Sequence, residues 1–314
     1  MVISVNLVKI ALEAREYTEN IKEREMYFFN KLNEILDIAH EGLQYRAERL
    51  LNVKASVSPV LYGDSTVGAY GATGYSLHPD ETVGHLFTNH RASVSLGFVG
   101  LHETILALYN EKMFKNIEMV QKGKNIMQVL KSATESWKRD STWAYSVYAT
   151  PAENLMNKFI EPDRKRFGII EGINDKNWYT NSTHLDVQQK ADGFEKLDFE
   201  SNFSSYSPGG VTSMVDVSSL KQNPIALEPL WNYCYEYTNV PYMSINIRED
   251  VCFECGHVGE FVPEAEGYTC PCCGNKDHNR MQVVRRISGY LSILSDRQVN
   301  KSKKAEIDAR VIHY

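Results

Sequence analysis

The chain has 314 residues, of which 43% are hydrophobic and 24% charged, with a formal net charge of −6 and a pI near 5.9. That balance fits a globular protein of one large or two ordinary domains, and its acidity disfavours a surface that coats nucleic acid. No run of about eighteen apolar residues occurs, so no membrane span is expected, and the first residues lack the ordered basic, apolar and cleavage regions of a secretory leader.

Val2, Ile3, Val5 and Leu7 predict a short buried strand that passes into a helix carrying Ile10, Leu12 and Ala14. Tyr27 to Leu51 reads as one long helix, with Leu32, Ile35, Leu36, Ile38, Ala39 and Leu43 as its core stripe. Val57 to Pro79 is rich in Gly, Ser and Tyr and is expected as loop with room for one strand. Ala92 to Gly100 predicts a buried strand leading into a helix at Leu101, and a further helix covers Met113 to Glu135. Trp143 to Tyr148 predicts the next strand. This alternation argues for an α/β fold with parallel strands and crossover helices.

The strand ends in Thr150-Pro151-Ala152-Glu153, where a proline at the first helical position and free amides make a natural phosphate turn. The plain alternative is a helix cap. Asn154 to Phe159 is expected as helix, Asp163 to Asp198 mostly as loop, and Trp178 to Val187 partly as strand. Val211 to Val217 and Tyr242 to Ile247 predict two more strands, with a helix over Asn223 to Tyr237 between them. His102, Glu103 and His184 are polar residues near element ends and read as structural.

Five of the six cysteines lie between residues 252 and 273, with Cys234 apart as a small buried hydrophobe. Cys252-Phe-Glu-Cys255 and Cys270-Pro-Cys-Cys273 are two CxxC knuckles separated by fourteen residues. Each knuckle lets two thiolates approach one ion, so Cys252, Cys255, Cys270 and Cys273 predict a tetrahedral zinc site. Cys272 is a spectator, and Gly256 and Gly274 supply permissive backbone after each knuckle. A pair of disulfides is the alternative, but nothing in the chain suggests an oxidising compartment, and a reducing, cytoplasmic setting is expected.

Sixteen residues after the last ligand stands Gly289, within Arg286-Ile-Ser288-Gly289-Tyr290-Leu291, followed by Arg297-Gln-Val-Asn300-Lys301-Ser-Lys303, Glu306 and Arg310-Val-Ile-His313-Tyr314. This ending resembles the carboxy-terminal signature of the anaerobic (class III) ribonucleoside-triphosphate reductases, glycyl radical enzymes in which a four-cysteine zinc site precedes Arg-x-Cys-Gly-Tyr-Leu. Ser288 stands where that family usually has cysteine. The first residues, Val2-Ile-Ser-Val-Asn6-Leu7-Val-Lys9-Ile10, are also similar to a family segment. The Thr150 turn is similar to the family's Thr-Pro-x-Glu.

The resemblance covers essentially the whole chain. It implies the second half of a ten-stranded α/β barrel over residues 1–248, a zinc ribbon over 249–282, and a glycyl radical loop and tail over 283–314. It implies that Gly289 stores the radical, and that Thr150, Ala152 and Glu153 grip substrate phosphate. Also implied are an activating enzyme that uses S-adenosylmethionine and an iron–sulfur cluster, ribonucleoside triphosphates as substrates, formate as reductant, and a homodimeric assembly. In the family, the cysteine that becomes a thiyl radical precedes the segment matching Met1 to Ala14. The chain is therefore expected to act with an amino-terminal reductase fragment carrying that cysteine. Alternatives of another class are a zinc-ribbon interaction module and an inactive remnant. Of the terminal cations, Lys301, Lys303, Lys304 and Arg310 are expected as a solvated face or as partners of Glu306 and Asp308, and Arg285 and Arg286 as anchors of the loop through carboxylates.

Overall fold

A computed structural model describes residues 1–63, 76–149, 155–218, 223–264, 267–294 and 300–314. Strand β1 (Val2–Asn6) runs directly into helix α1 (Leu7–Tyr17), because the Asn6 side chain accepts the Lys9 N–H and caps the helix at its first turn. Helix α2 (Ile21–Glu48) begins six residues before Tyr27, where Asn20 accepts the amides of Lys22 and Glu23. Its buried stripe is Phe28, Leu32, Leu36, Ala39 and Leu43, a strict three- and four-residue spacing. Ile38 falls off that stripe and is exposed, contrary to expectation. One helical turn, α3 (Pro59–Tyr62), follows.

Strand β2 (Ser93–Val99), helix α4 (Leu101–Tyr109), helix α5 (Ile117–Arg139) and strand β3 (Ala144–Tyr148) come next. Strands β1, β2 and β3 form a parallel sheet in that order, with Val5 opposite Phe98 and Leu96 opposite Val147. At the end of β2, Gly100 takes φ +82, and an added Cβ there would lie 2.2 Å from Val8 Cγ2. Only glycine allows the turn into α4 to sit this close to α1. One apolar cluster fills the space between this sheet and α1, α2, α4 and α5.

Beyond β3 lie α6 (Leu155–Phe167), α7 (Gly193–Ser204), β4 (Ser213–Val217), α8 (Glu228–Tyr237) and β5 (Met243–Ile247). Helix α6 is longer than predicted. It runs through Pro162, and its Arg164 guanidinium donates to the carbonyls of Asn174, Asp175 and Lys176. Helix α7 replaces predicted loop. Its start carries a capping box, Asp192 with Glu195. Trp178 to Val187 is not a strand but a loop with a single bridge, Val99 to Asn181. Strands β4 and β5 are parallel, with Asp216 opposite Asn246. Two backbone hydrogen bonds, Gly209 N–H to Val147 O and Ala149 N–H to Gly210 O, tie β3 to the segment entering β4. These bonds link the three-stranded and the two-stranded parallel sheets, within each of which neighbouring strands are consecutive in the chain.

The chain ends in small antiparallel pieces. Strands β6 (Asp250–Cys252), β7 (Val258–Gly259) and β10 (Met281–Gln282) form one sheet, and β8 (Val262–Glu264) pairs with β9 (Gly267–Thr269). Strands β11 (Val284–Arg286) and β12 (Leu291–Ile293) form a hairpin, followed by helix α9 (Lys301–Asp308).

Candidate metal centre and the cavity beside Gly289

The two knuckles fold alike. Gly256 N–H donates to Cys252 O and Gly274 N–H to Cys270 O, each at 2.9 Å. Both glycines are left-handed, at φ +70 and +74, with open space where a Cβ would sit. Backbone conformation, not crowding, requires glycine here. The knuckles bring the sulfurs of Cys252, Cys255, Cys270 and Cys273 within 4.8 Å of one another. Cys252 and Cys273 are 3.7 Å apart, as are Cys255 and Cys270. A tetrahedral zinc with bonds of about 2.3 Å needs sulfurs about 3.8 Å apart, whereas a disulfide needs about 2.05 Å. The donor set therefore fits one four-coordinate thiophilic ion and not two disulfides. Burial opposes ionisation of the Cys252 thiol, but the amides of Cys255, Glu254 and Asn275 outweigh it and hold the pKa at about 6. For Cys255 and Cys273 the amides of His257 and Asn275 favour ionisation, but burial and hydrogen bonds among the crowded sulfurs outweigh them and push both thiols upward. A cation is what would let all four ionise together. Cys272 is exposed and outside the group, and Cys234 is buried on α8.

The Gly289 hairpin is fastened to this ribbon by one carboxylate. Asp250, fully buried two residues before Cys252, accepts the N–H of Phe261 at 2.9 Å and of Val284 at 3.2 Å. It also takes both guanidinium nitrogens of Arg285, one of them at 2.8 Å. Such a bidentate pair fixes direction as well as distance. Among the described residues, Arg286 meets no carboxylate, and its Nε is buried without a hydrogen-bond partner. Past the strands, Ile287 N–H donates to Tyr290 O, so Ser288 and Gly289 form the tip. Gly289 is exposed, lies outside the left-handed region, and has nothing within 4 Å of an added Cβ.

The tip faces a cavity of about 310 Å³, with Tyr148 and Ala149 at the end of β3, Asp216 on β4 and His184 among its walls. Cavities of this size at the carboxyl ends of parallel strands are the usual ligand sites of α/β proteins. Its walls hold two buried ionic groups that the sequence did not single out as a site. Glu200 on α7 meets Lys196, His184 and Ser213. Burial works to raise its carboxyl, but Lys196 and His184 hold it well below the usual carboxylate range. Glu306 on α9 lies 2.7 Å from Lys303 and takes Arg310 at 3.0 and 3.1 Å. Burial again opposes ionisation, and Arg310 and Lys303 hold the pKa at about 2. Lys303 is therefore paired as expected but not solvated. The available signal was spacing alone: Lys196 and Glu200 at i,i+4, then Lys303, Glu306 and Arg310 at i,i+3 and i,i+7.

Glu103 is a structural clamp, its Oε1 accepting the N–H and hydroxyl of Thr180 at 3.0 and 2.7 Å. Thr150, Ala152 and Glu153 lie outside the described residues. Among the described residues, no helix is long and apolar enough to cross a membrane.

Residues 1–313 match the protein family described as anaerobic ribonucleoside-triphosphate reductase. A relative of that name from Haemophilus influenzae is 42% identical over 313 residues, covering 99% of this chain and 42% of the relative. One from Escherichia coli is 41% identical with the same coverage, and one from phage T4 is 35% identical over 312 residues, 48% of its length. The chain thus spans less than half the length of these relatives. Among solved structures, the anaerobic ribonucleotide reductase from Thermotoga maritima with glycerol in its active site aligns at a TM-score of 0.60 and 17% identity. That alignment covers 98% of this chain and 43% of that one, and it supports a shared fold. On sequence and fold together, the chain belongs to the anaerobic ribonucleoside-triphosphate reductase family.

Proposed function

We propose that the chain is the carboxy-terminal portion of an enzyme that reduces ribonucleoside triphosphates to deoxyribonucleotides, with Gly289 as its radical store. The observation that carries this reading is the placement of Gly289. It stands at a hairpin tip over the cavity, where neither backbone conformation nor space demands glycine. What glycine alone supplies there is chemical. Loss of its Cα hydrogen leaves a planar radical spread over the adjoining amide and carbonyl, with no side chain to obstruct planarity.

In this reading the stored radical takes a hydrogen atom from a cysteine thiol in the amino-terminal portion, whether that portion is joined to this chain or carried separately. The resulting thiyl removes the ribose 3′ hydrogen. Residues 1–248 would form the second half of a ten-stranded barrel. Two parallel sheets, β1 to β3 and β4 with β5, each of consecutive strands, support this, as does the lack of any further strand pairing by β1 or β5 among the described residues. Open edges of that kind call for partner strands. Residues 249–282 form the ribbon, in which Cys252, Cys255, Cys270 and Cys273 would hold zinc, whose binding contributes folding free energy directly. Residues 283–314 carry the radical hairpin and tail. The turn at Thr150, Ala152 and Glu153 is assigned to substrate phosphate, formate to the reductant and a homodimer to the assembly. The hydrogen on Gly289 is removed by an activating enzyme with an iron–sulfur cluster and S-adenosylmethionine.

The test is an electron paramagnetic resonance spectrum of the chain assembled with its amino-terminal portion and incubated anaerobically with the activating enzyme and S-adenosylmethionine. A doublet is expected that is absent from Gly289→Ala. No doublet, with metal bound and a competent activating enzyme, would leave an inactive remnant or a ribbon that serves as an interaction module.

A further inference from the structure

We infer that Arg310 is the positioning residue for the Gly289 hairpin, a proposal that rests on the reductase reading above. A lone two-stranded hairpin is at best marginally stable, and β11 and β12 pair only with each other among the described residues. Something outside the hairpin must therefore fix where its tip stands. Asp250 does this at Arg285, on the ribbon side. Nearer the tip the hairpin meets Arg310, whose Nη1 donates to Arg286 O at 2.7 Å and whose Nη2 donates to Ile287 O at 3.3 Å. These carbonyls are the two that lead into Ser288 and Gly289, and the guanidinium takes both.

Glu306 aims the guanidinium, receiving Nε at 3.0 Å and Nη2 at 3.1 Å one turn back along the chain. Lys303 shares that carboxylate at 2.7 Å, so buried Lys303 and Glu306 and the largely covered Arg310 side chain lie together under the hairpin. The planar fork of arginine can bond a carboxylate on one edge and two carbonyls on the other, and lysine cannot. Helix α9 in turn is fixed against the ribbon. Tyr268 donates its hydroxyl to Asp308 at 2.8 Å, and Lys304 donates to Glu264 O at 3.0 Å. Arg248 completes the path, donating to Arg310 O at 2.7 Å and pairing with Glu260. The ribbon therefore sets the helix, the helix sets Arg310, and Arg310 sets the last peptides before Gly289.

Because hydrogen transfer depends steeply on placement, an error of about 1 Å costs about a hundredfold in rate. The experiment compares wild type with Arg310→Lys, which keeps a cation beside Glu306, and with Arg310→Gln, all in the assembled enzyme. Three quantities are read: radical per chain, turnover per radical, and amide exchange of residues 286–292 against 250–282. Arg310→Lys is expected to bind metal normally and form radical within about twofold of wild type. Its turnover per radical should fall about a hundredfold, and its hairpin amides should exchange about tenfold faster while the ribbon is unchanged. A merely structural role would lower radical yield and turnover together, and unchanged turnover per radical in both variants would overturn the proposal. If wild type forms no radical, the reductase reading fails, and hairpin exchange alone decides whether Arg310 positions the hairpin. Exchange in the hairpin still reports whether Arg310 holds it, so the two failures are told apart.

Discussion

At the scale of a single residue, two glycines in this chain make opposite demands. Gly100 has φ +82 and would place a Cβ 2.2 Å from Val8 Cγ2, whereas Gly289 has neither constraint. Gly100→Ala therefore combines left-handed strain with overpacking against α1 and should cost about 2–4 kcal/mol. Gly289→Ala only restricts the unfolded chain and should be neutral or stabilise by about 0.4–1 kcal/mol. Urea midpoints of the two variants against wild type measure both. Should Gly289→Ala lose stability like Gly100→Ala, glycine at 289 would be a requirement of the fold, and its chemical assignment would lose its main support. The sequence pointed to Gly289 through its neighbours Arg286 and Tyr290, but only the backbone angle and the open space around it distinguish a chemical need from a geometric one.

At the scale of elements, the tail from Val311 to Tyr314 is held by backbone bonds: Val311 N–H to Val187 O, His313 N–H to Asp216 O, and Gly193 N–H to His313 O. The His313 ring adds one more, Nδ1 accepting Asp216 N–H at 3.2 Å, which requires that nitrogen to be unprotonated. Burial, with Lys196 and Arg248 nearby, outweighs Asp216 and Glu200 and lowers the His313 pKa to about 4. The folded pKa lies below the ordinary 6.5, so between these values the unfolded chain binds more protons. Stability is then lost as pH falls from about 6.5 towards 4, by about 3 kcal/mol at most. Glu306, depressed to about 2, adds a second loss below about pH 4.5. Urea midpoints from pH 7.5 to 4.5 should decline for wild type and less steeply for His313→Gln, the remaining decline coming from His102 and His40, whose pKa values burial also lowers. An equal decline in both would remove His313 as the cause. Elements whose signal is local were legible in the sequence. The apolar stripe of α2 and the CxxC spacing are short-range patterns, and β2 and β3 are apolar runs bounded by breakers. Helix α9 was not legible as buried, because Lys303 and Glu306 are inside by pairing with each other and with Arg310, and hydropathy cannot register that. Helix α7 was missed although Asp192 and Glu195 spell a capping box, since aromatic and acidic residues alternate there without a clean stripe.

At the scale of the molecule, the apolar interior is divided very unequally. The main cluster spans α1, α2, β2, β3, α4 and α5, whereas the ribbon's own cluster consists of Cys252, Phe261, Tyr268, Cys270, Met281 and Val283. Two of those six residues are candidate ligands, so removing the ion would take away a third of an already small core. A cluster of that size cannot offset the entropy of ordering the residues around it, whereas four-thiolate zinc contributes roughly 10–16 kcal/mol to such folds. Among the described residues, strands β1 to β3 contribute nothing to the ribbon cluster. A strong zinc chelator should therefore release about one zinc per chain and abolish amide protection across residues 250–294, including the Gly289 hairpin, while residues 1–63 and 93–149 keep theirs. Cys270→Ser should reproduce that pattern without chelator, because Cys270 is buried and belongs both to the ligand group and to the apolar cluster. Retained protection at 250–294 in the metal-free chain would mean that Asp250, Arg285 and the α9 contacts suffice to hold the ribbon. Loss of protection across the whole chain would mean instead that the two cores fold as one, with the ribbon's ion contributing to the stability of the strands beneath it.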